Sequence, residues 1–125
     1  MHLTNAEEQI MKVLWKLEKA FIRDLLSEFP EPKPAPTTII TVLNRLIDKG
    51  FVSYRQCGNS REYSPLVKKS KYFSEYLNGL IKDHFNNSKA QFASFITDET
   101  DISDEELKEI RDLINNKLGS ENKES

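Results

Sequence analysis

Thr37-Thr38-Ile39-Ile40-Thr41-Val42-Leu43-Asn44-Arg45-Leu46-Ile47-Asp48-Lys49-Gly50 runs directly into Phe51-Val52-Ser53-Tyr54-Arg55-Gln56, and the change of period between them decides the fold. In the first stretch Ile39, Val42, Leu43, Leu46 and Ile47 recur at the spacing of an amphipathic helix with one apolar stripe. Thr37 or Thr38 is placed to cap its start and Gly50 its end. The second stretch is β-branched and aromatic. Cys57-Gly58-Asn59-Ser60 has turn chemistry, and Arg61-Glu62-Tyr63-Ser64 returns until Pro65 closes the ladder. A helix feeding a β-hairpin is predicted.

Upstream, Thr4-Asn5-Ala6-Glu7 fits a capping box, in which Thr4 and Glu7 satisfy each other's free backbone donors. Ala6, Ile10, Val13, Leu14 and Leu17 then recur at helical spacing, so a first helix should end near Lys16 or Leu17. Ile22, Leu25 and Phe29 make a short second helix, which Pro30 stops. Pro30 to Pro36 holds four of the five prolines and reads as a stiff extended connector. Three short helices followed by a hairpin is the winged helix-turn-helix order.

From Lys68 the pattern is helical again. Phe73, Tyr76, Leu77, Leu80, Ile81 and His84 share a stripe, and Phe85, Phe92, Phe95 and Ile96 add apolar content. Ser103-Asp104-Glu105-Glu106 is a second capping box, with Ile102 as a hydrophobic staple. It opens a last helix with Leu107, Ile110, Leu113 and Ile114 inside. The expected fold is mainly α with a small β-hairpin wing. A winged-helix DNA-binding domain covers 1–67, a helical dimerisation region 68–117, and a disordered polar tail 118–125.

With its stripe turned inward, the third helix leaves Thr37, Thr38, Thr41, Asn44, Arg45 and Asp48 outside. In a DNA major groove Asn pairs with adenine, Arg with guanine, and Thr meets a thymine methyl or a phosphate. Glu/Lys pairs one turn apart would have indicated only a solvated face. Arg55 and Arg61 flank the hairpin turn and suit sugar-phosphate or the minor groove. Residues 33–61 carry Lys33, Arg45, Lys49, Arg55 and Arg61 against the single Asp48, whereas 98–112 carries eight acids and two cations. The net charge of −2 therefore hides one basic stretch, and Lys33 joins the candidate DNA contacts. A plain surface, or a winged helix that binds another protein, is the rival reading of the same face.

The arm carries more large apolar side chains than two helices and a stub can bury alone, so they suit a homodimer core, with a ligand pocket as the alternative. The dimerisation candidates are Phe73, Tyr76, Leu77, Leu80, Ile81, Phe92, Leu107, Ile110, Leu113 and Ile114. Catalysis is not indicated. His2 sits at a terminus, His84 has no Cys or second His nearby, and the acids after Asp98 lie along a helix. Cys57 is the sole cysteine, which excludes an internal disulfide and a cysteine-rich metal site and suits a reducing cytoplasm. No metal or other cofactor is expected. There is no apolar run long enough to span a membrane, and Met1-His2-Leu3-Thr4 does not begin a signal peptide.

Taken together, these segments resemble the BlaI/MecI penicillinase-repressor family over nearly the whole chain. Leu3-Thr4 with Glu8 to Trp15 is similar to its first helix, and Pro36 to Gly50 to its recognition helix. Arg61 to Val67 resembles the end of its wing, and Ile102 to Ile114 its final dimerisation helix. The resemblance implies a bacterial homodimeric repressor of palindromic operator DNA, with antibiotic resistance among its outputs. It further implies relief by proteolysis of the arm, triggered by a membrane-bound sensor metalloprotease. A ligand-sensing winged-helix repressor is the alternative. The family's cleaved bond precedes a Phe, and Ser94-Phe95 stands in that place here, with Ser where the best-known site has Asn. The copper-responsive members' cysteine-rich C-terminal motifs have no counterpart after Cys57.

Overall fold

The computed structural model describes the backbone of residues 2–124 and the side chains of residues 2–119. In chain order α1 is Asn5–Leu17, α2 Ile22–Ser27, α3 Pro36–Asp48, β1 Val52–Cys57 and β2 Ser60–Pro65. Three further helices follow: α4 Lys69–His84, α5 Lys89–Glu99 and α6 Asp104–Glu124. Between Leu77 and Asn78 the chain divides into two compact units.

The first unit is a winged helix. Its core gathers Ile10, Met11 and Leu14 from α1, Leu25 from α2, Ile39, Val42, Leu43 and Leu46 from α3, and Val52 and Tyr63 from the hairpin. The α3 stripe is therefore the centre of the core, as its spacing predicts. The capping box at α1 forms as expected: Glu7 N–H donates to Thr4 Oγ1 at 3.2 Å and Thr4 N–H to Glu7 Oε1 at 2.8 Å. Ala6, however, is exposed, and Glu7 turns into the core in its place.

The hairpin pairs antiparallel from Val52↔Pro65 to Cys57↔Ser60 around a two-residue turn, Gly58-Asn59. Gly58 supplies the positive φ of 61° that the first central position of a tight hairpin turn needs. A third, one-residue strand is added by Ala20, whose N–H and C=O both pair with Tyr63, at 2.9 and 2.8 Å. That bridge docks the wing against the α1–α2 connection.

Neither Thr37 nor Thr38 caps α3. Ala35 holds the cap position and Pro36 the first helical position, where its missing N–H costs nothing and its fixed φ suits the helix. At the other end Lys49 is the cap and Gly50 follows at φ 82°.

The unit boundary falls ten residues beyond the expected one because Tyr72 of α4 belongs to the first core. Its ring lies 5.9 Å edge-on from Phe51 and 5.8 Å from Trp15, and its hydroxyl donates to Glu8 and accepts from the Leu3 N–H. The indole N–H of Trp15 in turn donates to the Val67 carbonyl at 2.9 Å.

In the second unit Asn86 and Asn87 take positive φ, 53° and 55°, ending α4, and Ser88 caps α5 by accepting from the Gln91 N–H. Phe85 meets Phe92 and Phe95 at 5.2 and 5.3 Å. Ser103 and Glu106 form the predicted capping box of α6. That helix continues to Glu124 where a disordered tail was expected from 118. One Gly in a helix interior costs only about 1 kcal/mol relative to Ala, so Gly119 does not break it. Ser125, the end of that expected tail, lies outside the described residues.

Candidate nucleic-acid interface

Because α3 buries Ile39, Val42, Leu43 and Leu46, the helical repeat forces Thr37, Thr41, Asn44 and Asp48 to the centre of the opposite face. Thr38 and Arg45 flank them on one side and Ile40 on the other, and all seven are exposed. The Thr41 hydroxyl donates to the Thr37 carbonyl at 2.9 Å, so its methyl and the acceptor lone pairs of its oxygen remain for a partner. Arg45 makes no ion pair among the described residues.

The wing separates two arginines that the sequence placed side by side. Strand alternation puts Val52, Tyr54, Gln56, Arg61 and Tyr63 on the face that carries the core residues, and Arg55 and Glu62 on the other. Arg55 is held there by Glu62 at 3.0 Å. Arg61 instead stacks on the Tyr54 ring with its guanidinium carbon 4.0 Å from the centroid, a cation–π contact, and makes no ion pair among the described residues. Lys33 is turned away as well: its ammonium donates to the carbonyls of Leu26 and Phe29, both at 2.9 Å, where it caps the end of α2.

An open groove of about 850 Å³ runs between α3 and the wing. Asn44 and Arg61 lie on its two walls, joined by Ile40, Gln56 and Asn59, with Arg23 at the mouth of α2. Of the sequence candidates, the structure thus brings Asn44 and Arg61 to one groove and Thr37, Thr38, Thr41 and Arg45 to the adjoining face. Arg55 and Lys33 are engaged elsewhere. Sequence reasoning missed Ile40, Arg23, Gln56 and Asn59. Ile40 had a signal: it is the one α3 isoleucine outside the apolar stripe. The α2 and wing residues had none, since only the fold brings them beside α3.

The far end of α3 is fixed to α1 by an ion pair, Lys49 Nζ to Glu7 Oε1 at 2.7 Å. Glu7 is fully buried, and its Oε2 has no hydrogen-bond partner among the described residues. Burial pushes its pKa up, but the hydrogen bonds from Lys49 and the Thr4 N–H, with the Lys49 charge, outweigh that and hold it below the ordinary glutamate value. The C-terminal end of α3 is therefore tied to α1 by a buried carboxylate held in its ionised form.

Of the ten dimerisation candidates, Phe73, Tyr76, Leu77, Ile110, Leu113 and Ile114 are exposed, Leu80, Phe92 and Leu107 half-buried, and Ile81 buried within its own chain. Ile81 thus supports the fold of its unit rather than an open surface. Ser94 and Phe95 lie in mid-α5, both exposed, with the Ser94 hydroxyl donating to Asp98 and its carbonyl accepting from Thr97. Among the described residues no helix is long and apolar enough to cross a membrane, and no cluster of His, Cys, Asp or Glu is placed to hold a metal.

Comparison with known proteins agrees with this architecture. Over 120 residues the chain is 28% identical to the methicillin resistance regulatory protein MecI of Staphylococcus aureus, covering 92% of this chain and 94% of that protein. It is 25% identical over 113 residues to the penicillinase repressor of Bacillus licheniformis, covering 90% and 88%. The solution structure of the DNA binding domain of the repressor BlaI superposes with a TM-score of 0.50 at 32% identity, over 57% of this chain and 88% of that one. Residues 3–116 match the family model described as penicillinase repressor, so the chain belongs to that family, one of transcriptional repressors rather than enzymes.

Proposed function

We propose that this repressor is a homodimer that binds a palindromic DNA operator, each protomer laying α3 in the major groove with the wing beside it. The observation that carries the reading is the exposed α3 face, where Thr37, Thr41, Asn44 and Arg45 stand together next to an Arg61 already oriented by Tyr54. Asn44 suits adenine and Arg45 guanine, and Arg61 at the wing suits phosphate or the minor groove. The DNA-binding function named for the BlaI domain supports it. Operator DNA is thus the partner, the cytoplasm the place of action, and resistance genes of the kind the relatives are named for are the class of target.

The exposed apolar residues of α6 supply the dimer contact. Joining two half-site contacts makes the second nearly intramolecular and adds roughly 10²–10⁴ in affinity. Relief then follows from cutting the arm at Ser94-Phe95, for which a membrane-bound sensor metalloprotease is the proposed trigger. A peptide bond inside a helix must be unwound before a protease can hold it extended. Exposure of both residues, and the absence of any buried residue in α5, make that local opening inexpensive.

Binding to a selected operator and to random duplex of equal length, measured by fluorescence anisotropy, tests the reading. Arg45→Ala and Thr41→Ala should weaken operator binding more than random binding, by about 1–3 kcal/mol at a base contact. Arg61→Ala should weaken both alike. Equal losses on both DNAs for all three variants would remove α3 as the reader.

A further inference from the structure

A single exposed isoleucine is ordinary on a protein surface; the neighbours of Ile40 make it informative. It is 37% exposed, belongs to no part of the core, and stands one helical turn before Asn44 on the same wall of the α3–wing groove. On the outward face of α3 every other exposed residue is polar. An apolar residue there gains nothing from solvent and has low helix propensity compared with Ala or Lys. The surface it still exposes gains only if an apolar group of the partner covers it. In the major groove one base-edge group is apolar, the C5-methyl of thymine.

We infer that Ile40 is a specificity-determining residue that packs against a thymine methyl in each half-site, on a base pair neighbouring the one read by Asn44. The placement is consistent with helix geometry. Residues four apart lie about 6 Å from each other along a helix, against about 3.4 Å per base step, so Ile40 and Asn44 address pairs one or two steps apart. The operator half-site would then carry a fixed T·A pair whose reading uses no hydrogen bond. This inference rests on α3 being the base-reading helix.

The test separates the two. A duplex is first selected from a random-sequence pool with the wild-type protein; if no sequence is enriched, the operator reading fails and this inference with it. On an enriched duplex, each thymine is replaced in turn by deoxyuridine, which removes the methyl and nothing else. At one thymine per half-site the loss of roughly one buried methyl should weaken wild-type binding about fourfold, and about fifteenfold when both half-sites are changed. Ile40→Ala should bind thymine and uracil duplexes equally while retaining its dependence on Asn44. Selection repeated with Ile40→Gln, which keeps the helix and offers an amide, should change the preferred base at that position alone. Sequence enrichment without any uracil-sensitive position overturns the assignment. So does an Ile40→Ala protein as uracil-sensitive as wild type, or an Ile40→Gln consensus that is unchanged.

Discussion

The two compact units spend their apolar residues differently. In the first, fourteen buried residues from every helix and both strands form one cluster, and Leu14, Leu25, Leu43 and Leu46 are fully enclosed. In the second, Ile81 is the buried apolar side chain among the described residues, α5 buries none, and α6 leaves Ile110, Leu113 and Ile114 exposed, Leu113 by 68%. The amphipathic pattern is strong in α1 and α3 and weaker in α4, α5 and α6. The three helices and hairpin of the first unit close around the α3 stripe, whereas the second leaves Phe95, Ile110, Leu113, Ile114 and Leu118 exposed. What is left open on α6 is an apolar face in want of a partner, and a second copy of the chain fills that need in the proposed dimer.

The contrast breaks most visibly at α6. Leu113→Asp combined with Ile114→Asp should convert a micromolar dimer to monomer in sedimentation and lower operator affinity by roughly 10²–10⁴-fold. The melting of the winged helix should be unchanged. A charged double variant that still sediments as a dimer would place the partner contact elsewhere.

Leucine truncation sharpens the same contrast in energy. Leu43→Ala, in the closed core, should destabilise the winged helix by about 2–5 kcal/mol in urea unfolding. Leu113→Ala should cost the monomer within about 0.5 kcal/mol, its effect appearing only in concentration-dependent melting. Similar losses for both would mean that α6 is already packed within one chain.

The smallest effect lies at the lock between α1 and α3. The Glu7 pKa is held below its unfolded value, so the ion pair with Lys49 contributes stability above the ordinary glutamate range. That contribution is lost as pH falls through the folded value. Glu7→Gln should therefore cost about 1–3 kcal/mol near pH 7 and progressively less as the solution is acidified toward about pH 3. A variant whose deficit is the same at both ends of that range would show that the carboxylate charge contributes nothing.

How far the candidate site could be read in advance follows from the range of the interactions involved. Thr37, Thr41, Asn44 and Arg45 were legible because a helix face is set by spacing alone, once the apolar stripe fixes which side is inward. The capping boxes at Thr4 and Ser103 were legible for the same reason, since both partners lie within four residues. Arg55 and Arg61 looked equivalent in sequence. Register alone sends one to Glu62 and the other onto Tyr54, and register depends on a two-residue turn whose ends the composition leaves open.

From the sequence alone came the order of three helices and a hairpin, the inward face of α3, the capping boxes and the family resemblance, all of them properties of local periodicity and spacing. Only the tertiary structure decided that Tyr72 extends the first unit into α4, that Ala20 adds a strand to the wing, and that Glu7 rather than Ala6 faces inward to meet Lys49. The same holds for Arg23 and Ile40, which join Asn44 and Arg61 along one groove. Each of these pairings links residues distant in the chain, or turns on a rotation of one residue about a helix axis. Such choices are settled by the free energy of closing the whole core, which no window of sequence contains.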